Sequence, residues 1–115
     1  MKRLIEIRSY KLKPATGDQF YRLVAQESVP LQRAFGMDVV AFGPSLHDAD
    51  VYVLIRAYRD LSHLESSQEA FYGTESWRKG PREAILELIQ SDANVVMWLA
   101  NEVVESMRDS LGQSG

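Results

Sequence analysis

The sequence predicts an α+β fold built on one antiparallel sheet, because two amphipathic strands are interspersed with helical segments along 115 residues. Successive side chains of a strand point to opposite faces of the sheet. In the first strand, residues 4–14, Ile5, Ile7 and Ser9 share one face. Residues 51–58 repeat the alternation. The opposite face of the two strands carries Glu6, Arg8, Tyr10, Tyr52, Leu54, Arg56 and Tyr58.

The first helix follows this first strand. Thr16 and Gln19 have the spacing of a capping box, which predicts that the helix begins there. Pro30 cannot donate a backbone hydrogen bond and clashes with the preceding turn, so we expect a kink or a restart near Ser28. Gly36 is a natural end for this helix.

The remaining elements are two more strands and further helices. Residues 37–46 favour a second strand, which a polar turn joins to residues 51–58 as a hairpin. Asp60 is predicted to cap the second main helix. Pro81 fits the first position of a short helix. The apolar run in residues 92–100 predicts the fourth strand, and a short helix after it is expected.

This order of elements, βαββαβ, is that of the ferredoxin-like fold. It predicts the spatial strand order 4-1-3-2, with the helices on one face of the sheet. We expect one domain over residues 1–111 and a frayed tail over residues 112–115. The apolar face with Ile5 and Ile7 is expected to contact the helices. The polar face, which by alternation also carries Val40, Phe42, Val96 and Trp98, is then expected to be bare.

A bare amphipathic face of this size predicts a partner or a ligand. The simplest arrangement is a homodimer in which two sheets face each other around a partly polar cavity. The predicted partners are therefore a second copy of the chain and a small molecule.

Composition excludes several other classes of function. The chain has no cysteine, which excludes a disulfide framework, a thiolate metal site and an iron–sulfur cluster. A net charge of −3 with scattered basic residues argues against a nucleic-acid partner. No apolar run approaches the ~20 residues of a membrane span, and no secretory signal is evident. His47 and His63 lack a second ligand at a suitable spacing, so neither a metal nor a cofactor is predicted. The expected location is cytoplasmic.

Three segments of the sequence resemble the NIPSNAP family: residues 6–14, which read E-x-R-x-Y-x-L-K-P, residues 40–44 and residues 52–61. The resemblance covers nearly the whole chain and implies the dimeric α/β barrel form of the ferredoxin-like fold. It implies no particular reaction. Arg56 departs from the family pattern, in which a Trp or another apolar residue is commoner, and this predicts a more polar cavity.

The candidate ligand-binding residues are those expected to line the cavity: Glu6, Arg8, Tyr10, Phe42, Tyr52, Arg56, Tyr58 and Trp98. The favoured interpretation of Glu6 and Arg56 is a cross-strand ion pair. A sharper hypothesis is that Arg8 or Arg56 binds a carboxylate or enolate, because the planar guanidinium suits such groups. No catalytic residue is assigned.

Three functions stay open on the sequence. The leading hypothesis is an uncharacterised NIPSNAP-like homodimer without demonstrable catalysis, whose cavity binds a small anionic or aromatic ligand. The first alternative is a cofactor-independent monooxygenase-type enzyme, for which Glu6 beside Arg8 and Tyr10 is the candidate base and donor set. The second is a structural interaction module, which predicts a dimer with a filled centre.

Overall fold

The computed structural model describes residues 1–111, and it contains one four-stranded sheet and six short helices. The predicted tail, residues 112–115, lies outside the described residues. The elements in chain order are β1 (Lys2–Leu12), α1 (Gly17–Leu23), a π-helical segment (Val24–Ser28), α2 (Val29–Ala34), β2 (Asp38–Pro44), β3 (Val51–Tyr58), α3 (Leu61–Tyr72), α4 (Glu75–Arg78), α5 (Arg82–Leu88), β4 (Ile89–Ala100) and α6 (Asn101–Ser110).

The sheet is antiparallel with the order β2-β3-β1-β4, which confirms the predicted topology and the ferredoxin-like α+β class. Glu6 lies opposite Arg56 of β3 on one side and Val96 of β4 on the other. The β2 register shifts between Val39 and Ala41. Because of this irregularity Val40 packs with the face of Ile5, and its predicted place on the polar face was wrong.

The first helix begins without the predicted capping box. The Thr16 hydroxyl donates to the carbonyl oxygen of Lys13 (2.7 Å) and caps nothing. The Asp50 carboxylate, from the turn before β3, accepts from the backbone N–H of Ala15 (2.9 Å) and of Gly17 (3.1 Å) instead. A side chain at position 17 would collide with the carbonyl oxygen of Ala49. The helix start is therefore fixed by a contact distant in sequence.

Pro30 produces the predicted break as a π-helical segment. The N–H of Val29 donates to the carbonyl oxygen of Val24, a wider turn than that of an α-helix. Helical structure thus continues past a residue that has no N–H to donate.

The assignment of the two sheet faces was wrong. The face of Glu6, Arg8, Tyr10, Tyr52, Arg56 and Tyr58 lies beneath α1 to α5, and its apolar members share the main core with Phe20, Leu64 and Phe71. The face of Ile5, Ile55 and Ala57 lies on the other side of the sheet. The homodimer surface predicted on the polar face is therefore covered by the chain's own helices.

Helix α6 covers part of that second face. Val104 is fully buried against it. Arg108 Nη1 donates to Asp38 Oδ1 of β2 (2.8 Å), and Arg3 of β1 donates to the same carboxylate. Burial raises the pKa of Asp38, but the hydrogen bonds from Arg108 and Arg3 outweigh it, so the net pKa lies below its ordinary value. A buried side chain and an ion pair together fix α6 on the sheet.

The edge strand β4 is exposed on both faces. Its apolar side chains from Val95 to Trp98 are between 40% and 54% exposed. Within residues 1–111, no helix combines the length and apolarity that crossing a membrane requires.

Candidate functional site

A chamber of about 600 Å³ lies between the sheet and the helices. Its floor is formed by β1 and β3. Its walls are formed by the helical residues 17–34, by Tyr72, by Trp77 and by α5. Arg82 and Asp92, both exposed, stand at its rim. The chamber is built within one chain, on the face where the sequence predicted a cavity shared by two chains.

α1, the π-helical segment and α2 form one continuous helical run. Four of its residues line this chamber at a spacing of four: Phe20, Val24, Ser28 and Gln32. In an α-helix each such step drifts about 40° around the axis, because each residue advances about 100°. The wider turn at Val24–Ser28 advances less per residue and reduces that drift. The irregularity at Pro30 therefore helps to keep one face of the helix turned to the chamber.

Aromatic rings form much of the chamber wall. The Phe20 and Tyr52 centroids are 5.1 Å apart in an edge-to-face arrangement, and Tyr10 packs on Phe20 at 5.5 Å. Tyr72 and Trp77 pack edge to face at 5.3 Å on the side of the helices. These packed rings give the chamber a largely apolar, aromatic lining.

Beneath the helices, Glu6 and Arg56 form the predicted cross-strand ion pair. Arg56 Nε donates to Glu6 Oε1 at 2.9 Å, and Arg56 Nη1 donates to Gln32 Oε1 and to Tyr72 Oη, each at 2.9 Å. Both charged side chains are nearly inaccessible, at 1% and 0% exposure. Buried charges are tolerated when they are paired and hydrogen-bonded. The ion pair and the bonds of Nε and Nη1 largely meet this condition, whereas Arg56 Nη2 has no partner within residues 1–111.

The Glu6 carboxylate is engaged on both oxygens. Glu6 Oε2 accepts from Gln68 Nε2 at 2.8 Å and from Asn94 Nδ2 at 3.2 Å, and Arg8 Nε lies 3.3 Å away. Burial raises the pKa of Glu6, but the attraction of Arg56 and the hydrogen bonds outweigh it and lower the net pKa. Glu6 is thus an ionised structural partner, and it does not line the chamber that Arg8 and Tyr10 line.

Two buried hydrogen-bonding atoms of the chamber have no partner within residues 1–111. They are Arg8 Nε, whose approach to Glu6 lacks hydrogen-bond geometry, and the hydroxyl of Tyr52. Burial raises the pKa of the Tyr52 hydroxyl, which therefore stays protonated. Unsatisfied buried polar atoms are few in native proteins and require an explanation.

The other candidate residues lie outside the chamber. The Tyr58 hydroxyl donates to Glu6 Oε1 at 3.4 Å, within the buried network. Phe42 packs on Tyr21, with the Arg33 guanidinium 5.9 Å from its ring centre. Trp98 is half-exposed on β4.

Sequence reasoning missed Gln32, Tyr72, Trp77 and Arg82 as chamber residues. Only for Gln32 does the sequence contain a pattern that could have predicted its place in the chamber. It is a polar residue that continues the spacing-of-four series of Phe20 on a helical face that is otherwise largely apolar. A polar residue on such a face indicates a buried polar partner. Among the residues that the structure describes, no group of three or more His, Cys, Asp or Glu side chains is arranged to hold a metal ion.

Family and structural comparisons find relatives of most of the chain. The NIPSNAP family model matches residues 5–101. A NIPSNAP family protein of unknown function from Agrobacterium tumefaciens superimposes with a TM-score of 0.78 at 22% identity, over 85% of this chain and 88% of that one. An uncharacterized NIPSNAP domain protein from Burkholderia xenovorans gives 0.76 at 17% identity, over 85% and 95% of the two chains.

A putative antibiotic biosynthesis monooxygenase from Bacteroides thetaiotaomicron also shares the fold. Its TM-score is 0.65 at 14% identity, over 83% of this chain and 87% of that chain. No curated protein matches the sequence. At these identities the likeness to solved structures establishes the fold alone.

Proposed function

The chain belongs to the NIPSNAP family, and we propose that it binds a small aromatic or anionic organic molecule in the chamber between its sheet and its helices. The observation that carries the proposal is the Tyr52 hydroxyl. Tyr52 lines the chamber, and its buried hydroxyl has no hydrogen-bond partner within residues 1–111. Burying such a group unpaired costs about 1–3 kcal/mol. An acceptor atom on a ligand would remove that cost.

The dimensions and chemistry of the chamber support the proposal. A volume of about 600 Å³ falls within the range typical of small-molecule sites. The rings of Tyr10, Phe20 and Trp77 suit a flat apolar body, and Arg8 supplies a positive charge. This combination favours an aromatic ligand with an acidic group.

Likeness to the putative monooxygenase does not extend the proposal to catalysis, because one fold hosts many reactions. Glu6, the candidate base for such a reaction, is ion-paired with Arg56 and does not line the chamber.

The second part of the proposal is a homodimer formed through the apolar face of the sheet, on the side opposite α1 to α5. Its support is the set of apolar side chains that α6 leaves partly uncovered there, among them Ile7, Val53, Val95 and Met97. An apolar surface of this kind favours association. The cytoplasmic location stays a prediction from the sequence.

Calorimetric titration with 2-naphthoate, an aromatic anion, tests the binding site. We expect one molecule bound per chain, and at least about tenfold weaker binding to V24F, whose larger ring would fill the chamber. Val103 is an exposed valine of α6, and V103F is the matched control with unchanged affinity. Thermal unfolding would verify that both variants fold. Equal affinity in V24F and the wild type, or no binding to any of the proteins, would contradict the proposal.

A further inference from the structure

We propose that the chamber is an oxyanion site: Arg8, Tyr52 and Tyr72 offer hydrogen-bond donors to its occupant, so that it takes acidic phenols or enols and holds them as anions. The inference rests on the proposed binding function and narrows the class of ligand. Its basis is the hydrogen-bond donors that these three side chains leave free, together with the strand register that brings two of them close.

Arg8 contributes a fixed positive charge. A guanidinium group has only donors, and Arg8 Nε, which lies 3.3 Å from Glu6 Oε2, makes no hydrogen bond within residues 1–111. The side chain is 24% exposed, which leaves it accessible from the chamber, whereas Arg56 is fully buried and engaged by Glu6. Of these two arginines, Arg8 is therefore the one that a ligand in the chamber can reach.

Tyr52 contributes a hydroxyl that has no hydrogen-bond partner among residues 1–111. The ring of Tyr52 packs against the rings of Phe20 and Tyr21, at centroid distances of 5.1 Å and 6.0 Å. A protonated hydroxyl in an apolar setting gains most from an acceptor, and an anionic oxygen forms a stronger hydrogen bond than a neutral one.

Tyr72 contributes a hydroxyl that already accepts one hydrogen bond and can still donate its proton. It accepts from Arg56 Nη1 at 2.9 Å, so its own proton is free to donate elsewhere, and Tyr72 lines the chamber. The Arg56 guanidinium also lies 5.8 Å from the centre of the Tyr72 ring. A charged donor polarises the hydroxyl that accepts from it, which strengthens the onward hydrogen bond.

The strand register brings two of these donors together. Arg8 lies opposite Leu54, and Tyr52 is two residues from Leu54 on the same face of β3. Diagonal neighbours of this kind are roughly 7–8 Å apart at the backbone. One small ligand can therefore contact Arg8 and Tyr52 together.

The other polar groups of the chamber do not reverse this preference. The Tyr10 hydroxyl interacts with Arg8, and a hydroxyl can itself donate. Gln32 uses its oxygen to accept from Arg56 and its nitrogen to donate to Ser28 Oγ. At the exposed rim, Arg82 and Asp92 carry opposite charges. A phenol that binds as its anion releases its proton to water, and the negative oxygen is then held by the three donors.

Visible-absorbance titration of 4-nitrophenol tests the inference, because the phenolate and the phenol absorb differently. We expect the wild-type protein to lower the pKa of the bound phenol by about one to three, the effect of a nearby opposite charge. R8M is expected to abolish most of this change. Y52F is expected to bind the phenolate about fivefold more weakly, the loss of one hydrogen bond. Arg22 is exposed on α1, and R22M is the matched control with no change.

Titration with nitrobenzene, which has no acidic proton, distinguishes the oxyanion site from the proposed binding function. Binding of both probes with an unaltered phenol pKa, or with equal changes in R8M and the wild type, overturns the oxyanion site and leaves the chamber as a binding site. Failure of both probes and of 2-naphthoate overturns the proposed function as well.

Discussion

Tyr52 and Tyr58 lie on the same strand and the same face, yet their hydroxyl groups have opposite surroundings. Tyr58 accepts from Gln68 Nε2 at 3.2 Å and donates to Glu6, whereas the hydroxyl of Tyr52 has no partner among the described residues. Both side chains are almost completely buried. Their environments therefore make opposite contributions to the stability of the ligand-free protein.

We expect Y52F to leave the free energy of unfolding unchanged or to raise it by about 1 kcal/mol, because it removes an unsatisfied buried hydroxyl. The matched variant Y58F is expected to lower the free energy of unfolding by about 1 kcal/mol or more, because it breaks hydrogen bonds within a charged network. Urea denaturation without ligand measures both values. A loss in Y52F as large as that in Y58F would contradict the assigned role of Tyr52.

Residue alternation grouped Glu6, Arg8 and Arg56 correctly on one face but did not reveal which face meets the helices. The rule that polar groups seek water gave the wrong answer, because the partners that satisfy Arg56 and Glu6 are distant in sequence. Gln32 is 24 residues from Arg56, and Gln68 is 62 residues from Glu6. No pattern within one strand reports such partners, so only the ion pair itself could be predicted.

Among the elements, the strands and the break at Pro30 could be predicted, because periodicity and proline chemistry act locally. The β2 irregularity near Val40 and the cap from Asp50 could not, because each depends on a neighbouring segment. Helix α6 illustrates both cases. The sequence predicted a short helix after β4, but the attachment of this helix to Asp38 joins residues 70 apart.

The anchor of α6 gives a pH prediction. The folded-state pKa of Asp38 is lower than its ordinary value of 3.8. A carboxyl with a lowered pKa stabilises the fold above its unfolded pKa, and this contribution is lost as the pH falls through the folded value. We expect D38N to be less stable than the wild type at neutral pH, and the difference to shrink progressively below about pH 4.

Denaturation of both proteins across that pH range measures the difference. Asp109 is an exposed aspartate of the same helix, and D109N is the control, with a small difference at every pH. A wild-type advantage over D38N that persists undiminished into strong acid would show that the carboxylate does not anchor α6.

At the scale of the whole molecule, the sheet separates two surfaces of different character. One face, with its buried charges, is covered by α1 to α5 and contains the chamber. The other is apolar and only partly covered by α6, and β4 exposes apolar side chains at its edge. The second surface is the one on which we propose that two copies associate.

Val95 and Leu61 provide a matched test, because each is 54% exposed. Val95 lies on the proposed interface and Leu61 begins α3. We expect V95D to be monomeric at protein concentrations at which the wild type and L61D are dimeric, because burying an unpaired carboxylate opposes association. Sedimentation velocity measures the mass of each species. A monomeric wild type, or a dimer that V95D does not disrupt, would exclude this interface.

Because a single chain forms the whole chamber, the structure also predicts how many ligands a dimer binds. Ligand and partner would meet opposite faces of the sheet, and neither site as proposed borrows a residue from the other. Coupling between two sites requires that occupancy of one change the affinity of the other. Without such coupling, a dimer would hold two ligands that bind independently, and its saturation curve would be hyperbolic, with the same midpoint as that of an isolated chain.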